Sequence, residues 1–505
     1  MKLFRLFPLL VVLSALSDAA AADQPVRPKL SCGDLRSFTS YGFSIATATL
    51  VPATADVPEH CRVSGQILPE IRFEVSLPSQ WNRRFYMFGN GGYAGESFES
   101  PGRVNQRNAA LRRGFAVAAT DTGHDATVEP LGTFAMNRQK LLDYAFRAVH
   151  VTAETGKRVT REYYGTEIAR SYFQGCSTGG RQALILAQRF PKDFDGIVVG
   201  APVLDFSGTM TSYAWTSKGL LEGPVSIAKL KLLADRIYAG CDETDGIKDG
   251  VIEDPRRCGF SPARDLPRCS AEAEGPDCFT QRQIAALERI YNDMVVGGKR
   301  LFPGWPVGAE AAGPNGRPGW EGWIVRDDAR TTQVNFLETF FRYMAFPERD
   351  PNYDWTRFNF ETDPSRMEWI RKVLDATDPD LASFRATGGK ILMYYGWADP
   401  ALNARMGVEY YEKVLARMGP ATTEFFRLFM VPGMFHCGGG VGLNTFDWLT
   451  PLIDWVEKGV APDLIVGSRV VEGTVVWKRP VCPYPKTARY KGTGAIDDSS
   501  AFECK

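Results

Sequence analysis

The chain has 505 residues, 44% hydrophobic and 23% charged, which suits an ordinary globular protein made of one large domain with an insertion, or of two domains. Lys plus Arg balance Asp plus Glu at 59 each. That near-zero net charge gives no electrostatic footprint for nucleic acid or an anionic membrane.

The first element in chain order is a leader. Lys2 and Arg5 precede the apolar run 6–16, and the small residues 19–22 follow before Asp23. Charge, apolar core and small residues in that order mark a secretory signal peptide over 1–22, cleaved near Ala22. The run is too short to span a bilayer, and no later segment is long and apolar enough. An exported protein, periplasmic or secreted, is expected. Ten cysteines (Cys32, Cys61, Cys176, Cys241, Cys258, Cys269, Cys278, Cys437, Cys482 and Cys504) agree with export, because disulfides persist in oxidising compartments. Sequence does not fix their connectivity, although proximity favours Cys241–Cys258 and Cys269–Cys278. With no C-x-x-C pair and only four histidines, zinc is disfavoured.

Strand-like runs follow at 84–88, 114–119, 172–174, 196–200, 390–395 and 425–431, with helical segments such as 137–154 and 181–189 between them. Their alternation predicts an α/β fold with a parallel sheet built from βαβ units. Between 203 and 385 the alternation stops, and cysteine, glycine, proline and tryptophan cluster. This stretch reads as a lid domain inserted into a catalytic domain made of 23–202 and 386–505.

After the run 172–174 comes Gly175-Cys176-Ser177-Thr178-Gly179, a match to G-x-S-x-G. That pattern forms a sharp strand-to-helix turn exposing a serine hydroxyl above a parallel sheet. Alone it is weak, and the loop residues further on give it value. Asp399 lies in Gly396-Trp397-Ala398-Asp399-Pro400, and His436 in Pro432-Gly433-Met434-Phe435-His436-Cys437. Ser, Asp, His is the chain order of an α/β-hydrolase. Serine needs an imidazole to accept its proton, and a carboxylate to hold that imidazole in the right tautomer. Of the four histidines, His60 and His124 precede the serine and His150 falls inside a helical stretch, which leaves His436 as the base. Asp399 is preferred over Asp121 and Asp195 by its strand-end position, although an aspartate before proline also suits a plain turn. The N–H of Thr178 is one expected oxyanion donor, and the loop Gly89-Asn90-Gly91-Gly92-Tyr93 supplies the other, from Gly92 with Gly91 as the alternative. Cys176 precedes the serine and Cys437 follows the histidine. If the triad assembles, the two thiols lie close together, and a disulfide between them would hold both residues in register.

Adjacent Cys-Ser and His-Cys pairs, with an aspartate in Gly-Trp-Ala-Asp-Pro, resemble the tannase and feruloyl esterase family, which includes a bacterial hydrolase of mono(2-hydroxyethyl) terephthalate. The likeness covers nearly the whole chain after the leader. It implies an α/β-hydrolase with an inserted lid, ester hydrolysis through an acyl-enzyme, and a Cys176–Cys437 disulfide. It further implies Cys32–Cys61, Cys241–Cys258, Cys269–Cys278 and Cys482–Cys504. The resemblance also implies a structural Ca²⁺ in the lid, held by carboxylates of Asp242, Asp245 and Asp249 and carbonyls of Ile247 and Val251. Such a loop suits a hard cation that wants several oxygens, although a solvated acidic turn has the same composition. Its aspartate spacing is not that of an EF-hand.

Aromatic residues crowd the lid at Trp215, Trp305, Trp320, Trp323, Phe336, Phe340, Phe341, Tyr343 and Phe346. Most are expected in its core, and some against an aromatic acyl group. The expected substrate is a small aromatic ester, of a hydroxycinnamate or gallate acid. A terephthalate monoester or another aryl or alkyl ester is the alternative, and a non-catalytic binding protein on the same scaffold is the reading from another class.

Overall fold

The computed structural model describes residues 24–270, 274–313 and 318–505, so the expected leader at 1–22 lies outside the described residues. Its centre is a nine-stranded sheet. The first seven strands are β1 (Phe43–Val51), β2 (His60–Ile67), β3 (Ile71–Pro78), β4 (Arg84–Phe88), β5 (Ala116–Thr120), β6 (Arg170–Cys176) and β7 (Gly196–Gly200). A short hairpin outside the sheet follows, of β8 (Met294–Val296) and β9 (Lys299–Phe302). The sheet resumes with β10 (Lys390–Gly396) and β11 (Phe426–Val431) and has the order β1-β2-β3-β5-β4-β6-β7-β10-β11. From β5 to β11 every neighbouring pair is parallel, whereas β1, β2 and β3 form an antiparallel wing joined antiparallel to β5.

The parallel strands are apolar because helices cover both faces of the sheet. All five residues of β5 and all five of β7 are buried. The helices Ala148–Tyr164 and Thr178–Arg189 run between successive strands, as βαβ units require. The expected helical segment 137–154 is longer and less regular than its sequence suggested. It opens as Arg138–Leu142, passes through a π-helical turn at Asp143–Arg147, and continues to Tyr164.

From Gly200 to Lys390 the chain leaves the sheet, and among the described residues β8 and β9 are its only strands there. Helices Phe206–Glu222, Ile227–Cys241, Gln281–Tyr291 and Thr332–Tyr343 make up much of the excursion. Its apolar side shares one continuous core with the sheet. After β11 come the helix Leu449–Lys458 and a second hairpin, β12 (Ile465–Val471) with β13 (Thr474–Val481).

All ten cysteines are paired: Cys32–Cys61, Cys176–Cys437, Cys241–Cys258, Cys269–Cys278 and Cys482–Cys504. No helix among the described residues is long and apolar enough to cross a membrane.

Candidate active site

Four loops meet beyond the carboxyl ends of β4, β6, β10 and β11, the edge where open α/β sheets carry their sites. Ser177 directly follows β6 and stands before the helix Thr178–Arg189, with φ 64° and ψ −121°. Left-handed φ is unusual for a residue with a Cβ, and it is the strained turn expected of an exposed nucleophile. Glycine on each side is a steric necessity. A Cβ on Gly175 would lie 2.4 Å from the backbone of Gly179, and one on Gly179 would lie 3.1 Å from the Asn90 carbonyl oxygen. Because Thr178 opens the helix, its N–H has no carbonyl one turn earlier in the helix to bond.

Asp399 lies three residues past β10 with its side chain fully buried. Its Oδ1 accepts the N–H groups of Ala401 (2.8 Å) and Leu402 (2.9 Å), and its Oδ2 lies 2.8 Å from His436 Nδ1. The carboxylate is thus aimed at the imidazole by its own turn. His436 is partly exposed, and the indole of Trp323 meets its ring edge-on at 5.8 Å. Its loop folds back on itself, with Met434 bridging to Gly440, and Arg469 of β12 caps it. The guanidinium donates to the carbonyls of Gly440 (3.3 Å), Val441 and Gly442 (2.9 Å). Cys176 and Cys437, with Cα atoms 6.0 Å apart, tie the serine turn to this histidine loop.

The glycine loop after β4 completes the constellation. Gly91 N–H donates to Glu96 Oε2 (3.1 Å) and is thus engaged, while Gly92 has φ 49° and lines the cavity described below. Its carbonyl accepts from Tyr144 OH (3.1 Å) and Thr178 Oγ1.

Ser177, Thr178, Gly92 and His436 all line one cavity of about 520 Å³. Phe206, Met210, Tyr213, Trp323, Phe336 and Leu402 make its wall apolar, while Glu96, Ser100, Arg103 and Gln106 give it a polar edge. Of the nine aromatic residues that sequence singled out, Trp323 and Phe336 reach the cavity. Trp320, Phe340 and Phe341 are buried in the core, and Trp215 lies against the Arg289 guanidinium. Arg342 pairs with Glu338 at 2.7 Å and takes no part in the cavity lining. The other histidines serve packing. His150 stacks on Phe190, buried His124 on Phe134, and His60 Nδ1 lies 2.9 Å from the Pro58 carbonyl oxygen. Asp121 accepts from Arg72, and Asp195 caps Ser171 N–H at 2.7 Å.

Residues 55–505 match the family model of tannase and feruloyl esterase. The chain belongs to the tannase and feruloyl esterase family. It is an α/β-hydrolase and a carboxylic ester hydrolase. The mono(2-hydroxyethyl) terephthalate hydrolase of Piscinibacter sakaiensis is 35% identical over 90% of this chain and 86% of its own length. Feruloyl esterase B of Aspergillus niger is 30% identical over 90% of this chain and 88% of its own. Among solved structures, feruloyl esterase B from Aspergillus oryzae superposes with a TM-score of 0.82 at 28% identity, over 94% of this chain and 99% of that one.

In this tannase-family chain the acidic loop after Cys241 is part-buried and curled on itself. Asp242 Oδ1 accepts Gly250 N–H (3.0 Å), Asp245 Oδ1 accepts Ile247 N–H (3.0 Å), and Asp249 Oδ1 accepts Val251 N–H (3.0 Å). Among the described residues no three His, Cys, Asp or Glu side chains gather closely enough to hold a metal ion, and Arg479 Nη1 pairs with Asp249 Oδ2 at 2.5 Å. The donor set nevertheless fits a hard cation in kind. Burial, with the charge of Asp249 adding to it, raises the pKa of Asp245, and burial with the charge of Asp245 pushes Glu253 up to about 8. A cation bound nearby would favour the charged form of carboxylates whose burial opposes ionisation.

Sequence reasoning missed the polar edge and most of the apolar wall. Glu96 and Arg103 follow a recognised glycine loop, but nothing in their spacing separates them from surface charges.

Proposed function

We propose that this chain is an exported serine esterase that hydrolyses esters of aromatic acids through an acyl-enzyme. The observation that carries the reading is the 2.8 Å contact of Asp399 Oδ2 with His436 Nδ1, on a cavity that Ser177 also lines from a left-handed turn. Ser177 Oγ attacks the ester carbonyl as His436 Nε2 takes its proton. Asp399 holds Nδ1–H and stabilises the imidazolium. The N–H groups of Gly92 and Thr178 receive the oxyanion, aided by the positive end of the helix Thr178–Arg189. The alcohol leaves with the proton from His436, and water then attacks the acyl group along the same path. One acid and one alcohol are released, and serine is regenerated.

Support for an aromatic acyl group comes from Trp323, Phe336 and Phe206 on the apolar wall, and from a volume within the range of small-molecule pockets. Residues 203–385 then act as a lid that sets specificity. The feruloyl esterase relatives favour a hydroxycinnamate ester, and the family of tannase and feruloyl esterase admits a gallate ester as well. A second reading, a terephthalate monoester, is favoured by the 35% identity to the Piscinibacter hydrolase. Five disulfides and the signal-like leader support export to an oxidising compartment. For the acidic loop we propose a structural Ca²⁺ held by Asp242, Asp245, Asp249 and the carbonyls of Ile247 and Val251. Its bound charge would offset the crowded carboxylates and brace the lid.

The test is turnover of methyl ferulate, methyl gallate, mono(2-hydroxyethyl) terephthalate and a short p-nitrophenyl ester by the mature chain and by Ser177→Ala. A residual activity below about one part in 10⁴ for Ser177→Ala is expected. Turnover that survives the substitution would sink the serine mechanism. Serine-dependent turnover of the p-nitrophenyl ester with none of the three aromatic-acid esters would sink the acyl assignment.

A further inference from the structure

Of the four amides in the loop 89–92, three have fixed partners. Gly89 N–H donates to the Gln174 carbonyl (2.9 Å), Asn90 N–H to Gln182 Oε1 (3.0 Å) and Gly91 N–H to Glu96 Oε2 (3.1 Å). The peptide between Gly91 and Gly92 carries the proposed oxyanion donor, and its carbonyl accepts Ala94 N–H at 2.8 Å. The next peptide is held through the Gly92 carbonyl by Tyr144 and Thr178. On the amino-terminal side the single anchor at Gly91 is a side chain, Glu96.

One carboxylate oxygen does that work. Glu96 Oε2 accepts Gly91 N–H, Asn90 Nδ2 (3.3 Å) and Arg103 Nη1 (3.0 Å). Arg103 is buried, its guanidinium lies 5.1 Å from the Phe88 ring and 5.4 Å from that of Phe98, and its Nη2 donates to the Thr120 carbonyl at 2.8 Å. Among the described residues, Glu96 is the one carboxylate with which it forms an ion pair. Glycine pairs are free to turn, so a loop that must present one N–H in a fixed direction needs such clamps. An unpaired carboxylate here would also oppose the negative charge that develops on the oxyanion, and Arg103 neutralises it.

We propose that Glu96 is a positioning residue: paired with Arg103, it fixes the Gly91–Gly92 segment so that Gly92 N–H meets the oxyanion. This rests on the serine-esterase reading above. Losing an oxyanion donor outright costs about 10²–10³ in kcat, so loosening one should cost about 10–100-fold. Glu96→Ala is expected to show that fall in kcat on methyl ferulate, with KM within about threefold and a lowered melting temperature, because buried Arg103 loses its partner. Glu96→Gln keeps an oxygen for Gly91 N–H and should recover kcat to within about threefold of wild type. In Arg103→Met the uncompensated carboxylate should depress kcat, and adding Glu96→Gln should restore part of it. Full kcat in Glu96→Ala would overturn the proposal, as would a Glu96→Gln enzyme as slow as Glu96→Ala. The glutamine variant keeps the volume of glutamate, so the decision does not hang on whether the alanine variant folds. Failure of the parent reading shows separately, as activity retained by Ser177→Ala.

Discussion

Replacing both Cys176 and Cys437 by serine removes the covalent tie between the strand end that carries Ser177 and the loop that carries His436. The bond closes a loop of 261 residues. In the chain-entropy model that closure denies the unfolded chain about 5.6 kcal/mol of freedom, slightly above the upper end of what single disulfides contribute. The bridges Cys241–Cys258 and Cys269–Cys278 shorten the loop only slightly, and the dependence on length is logarithmic. A second effect acts in the native state. The His436 loop keeps its Arg469 cap and its contact with Asp399, but nothing covalent holds it to β6. The double variant should therefore lose about 3–5 kcal/mol in denaturant unfolding and about tenfold or more in kcat at temperatures where it remains folded. Circular dichroism against guanidinium, run beside turnover of methyl ferulate, reads both. A loss below about 1 kcal/mol with unchanged kcat would refute the argument on both counts.

Glu310 gives a prediction with a pH sign. It is fully buried and accepts from Gly308 N–H (2.8 Å) and Tyr291 OH (2.9 Å), and burial pushes its pKa up to about 7 from 4.5. A carboxyl raised on folding contributes its stability below pH 4.5 and loses it as pH climbs through about 7. Glu310→Gln should thus gain on wild type by about 3 kcal/mol between pH 4.5 and pH 8, read as the change in their stability difference. A difference independent of pH would show that Glu310 is ionised throughout. Arg469→Met removes three donations to the His436 loop and should lower kcat about tenfold while KM stays close to wild type, measured by steady-state turnover. Chelation with EGTA should lower the melting temperature, and Ca²⁺ but not Mg²⁺ should restore it; at 100 times its Kd a bound ion adds about 2.7 kcal/mol. A melting curve indifferent to EGTA would remove calcium from the acidic loop.

The parallel half of the sheet was legible because buried strands are continuous apolar runs. The expected 84–88 and 196–200 are β4 and β7 to the residue. The antiparallel wing was not. In β1 the pattern Phe43-Ser44-Ile45-Ala46-Thr47 alternates, but most of the strand faces solvent and its apolar signal is thin. Ser177, Asp399 and His436 could be picked out as candidates because chain order and strand ends constrain them, and the structure gathers them on one side of the sheet. The proposed preference for Gly92 over Gly91 rests on where Gly91 N–H points, which depends on Glu96 and could not be read from the sequence. Trp323 and Phe336 could be named as aromatic but not told apart from Phe340 and Phe341. All four sit in or beside helices with apolar faces, and only tertiary packing decides which face meets the cavity.

Tyr93 ends the glycine loop, and its ring is stacked on Phe206 at 5.6 Å and meets Phe336 edge-on at 5.0 Å, while its hydroxyl donates to the Phe336 carbonyl. Both partners belong to the excursion between β7 and β10. The segment proposed to act as a lid is therefore seated on the loop that carries the proposed oxyanion donor. An excursion transplanted from a relative would have to bring rings that fit Tyr93, or the recipient would gain a new pocket and lose the backbone alignment that makes any pocket useful. Diversification of such a fold is expected to run through side chains facing the cavity, such as Trp323 and Met210, rather than through wholesale exchange of the segment.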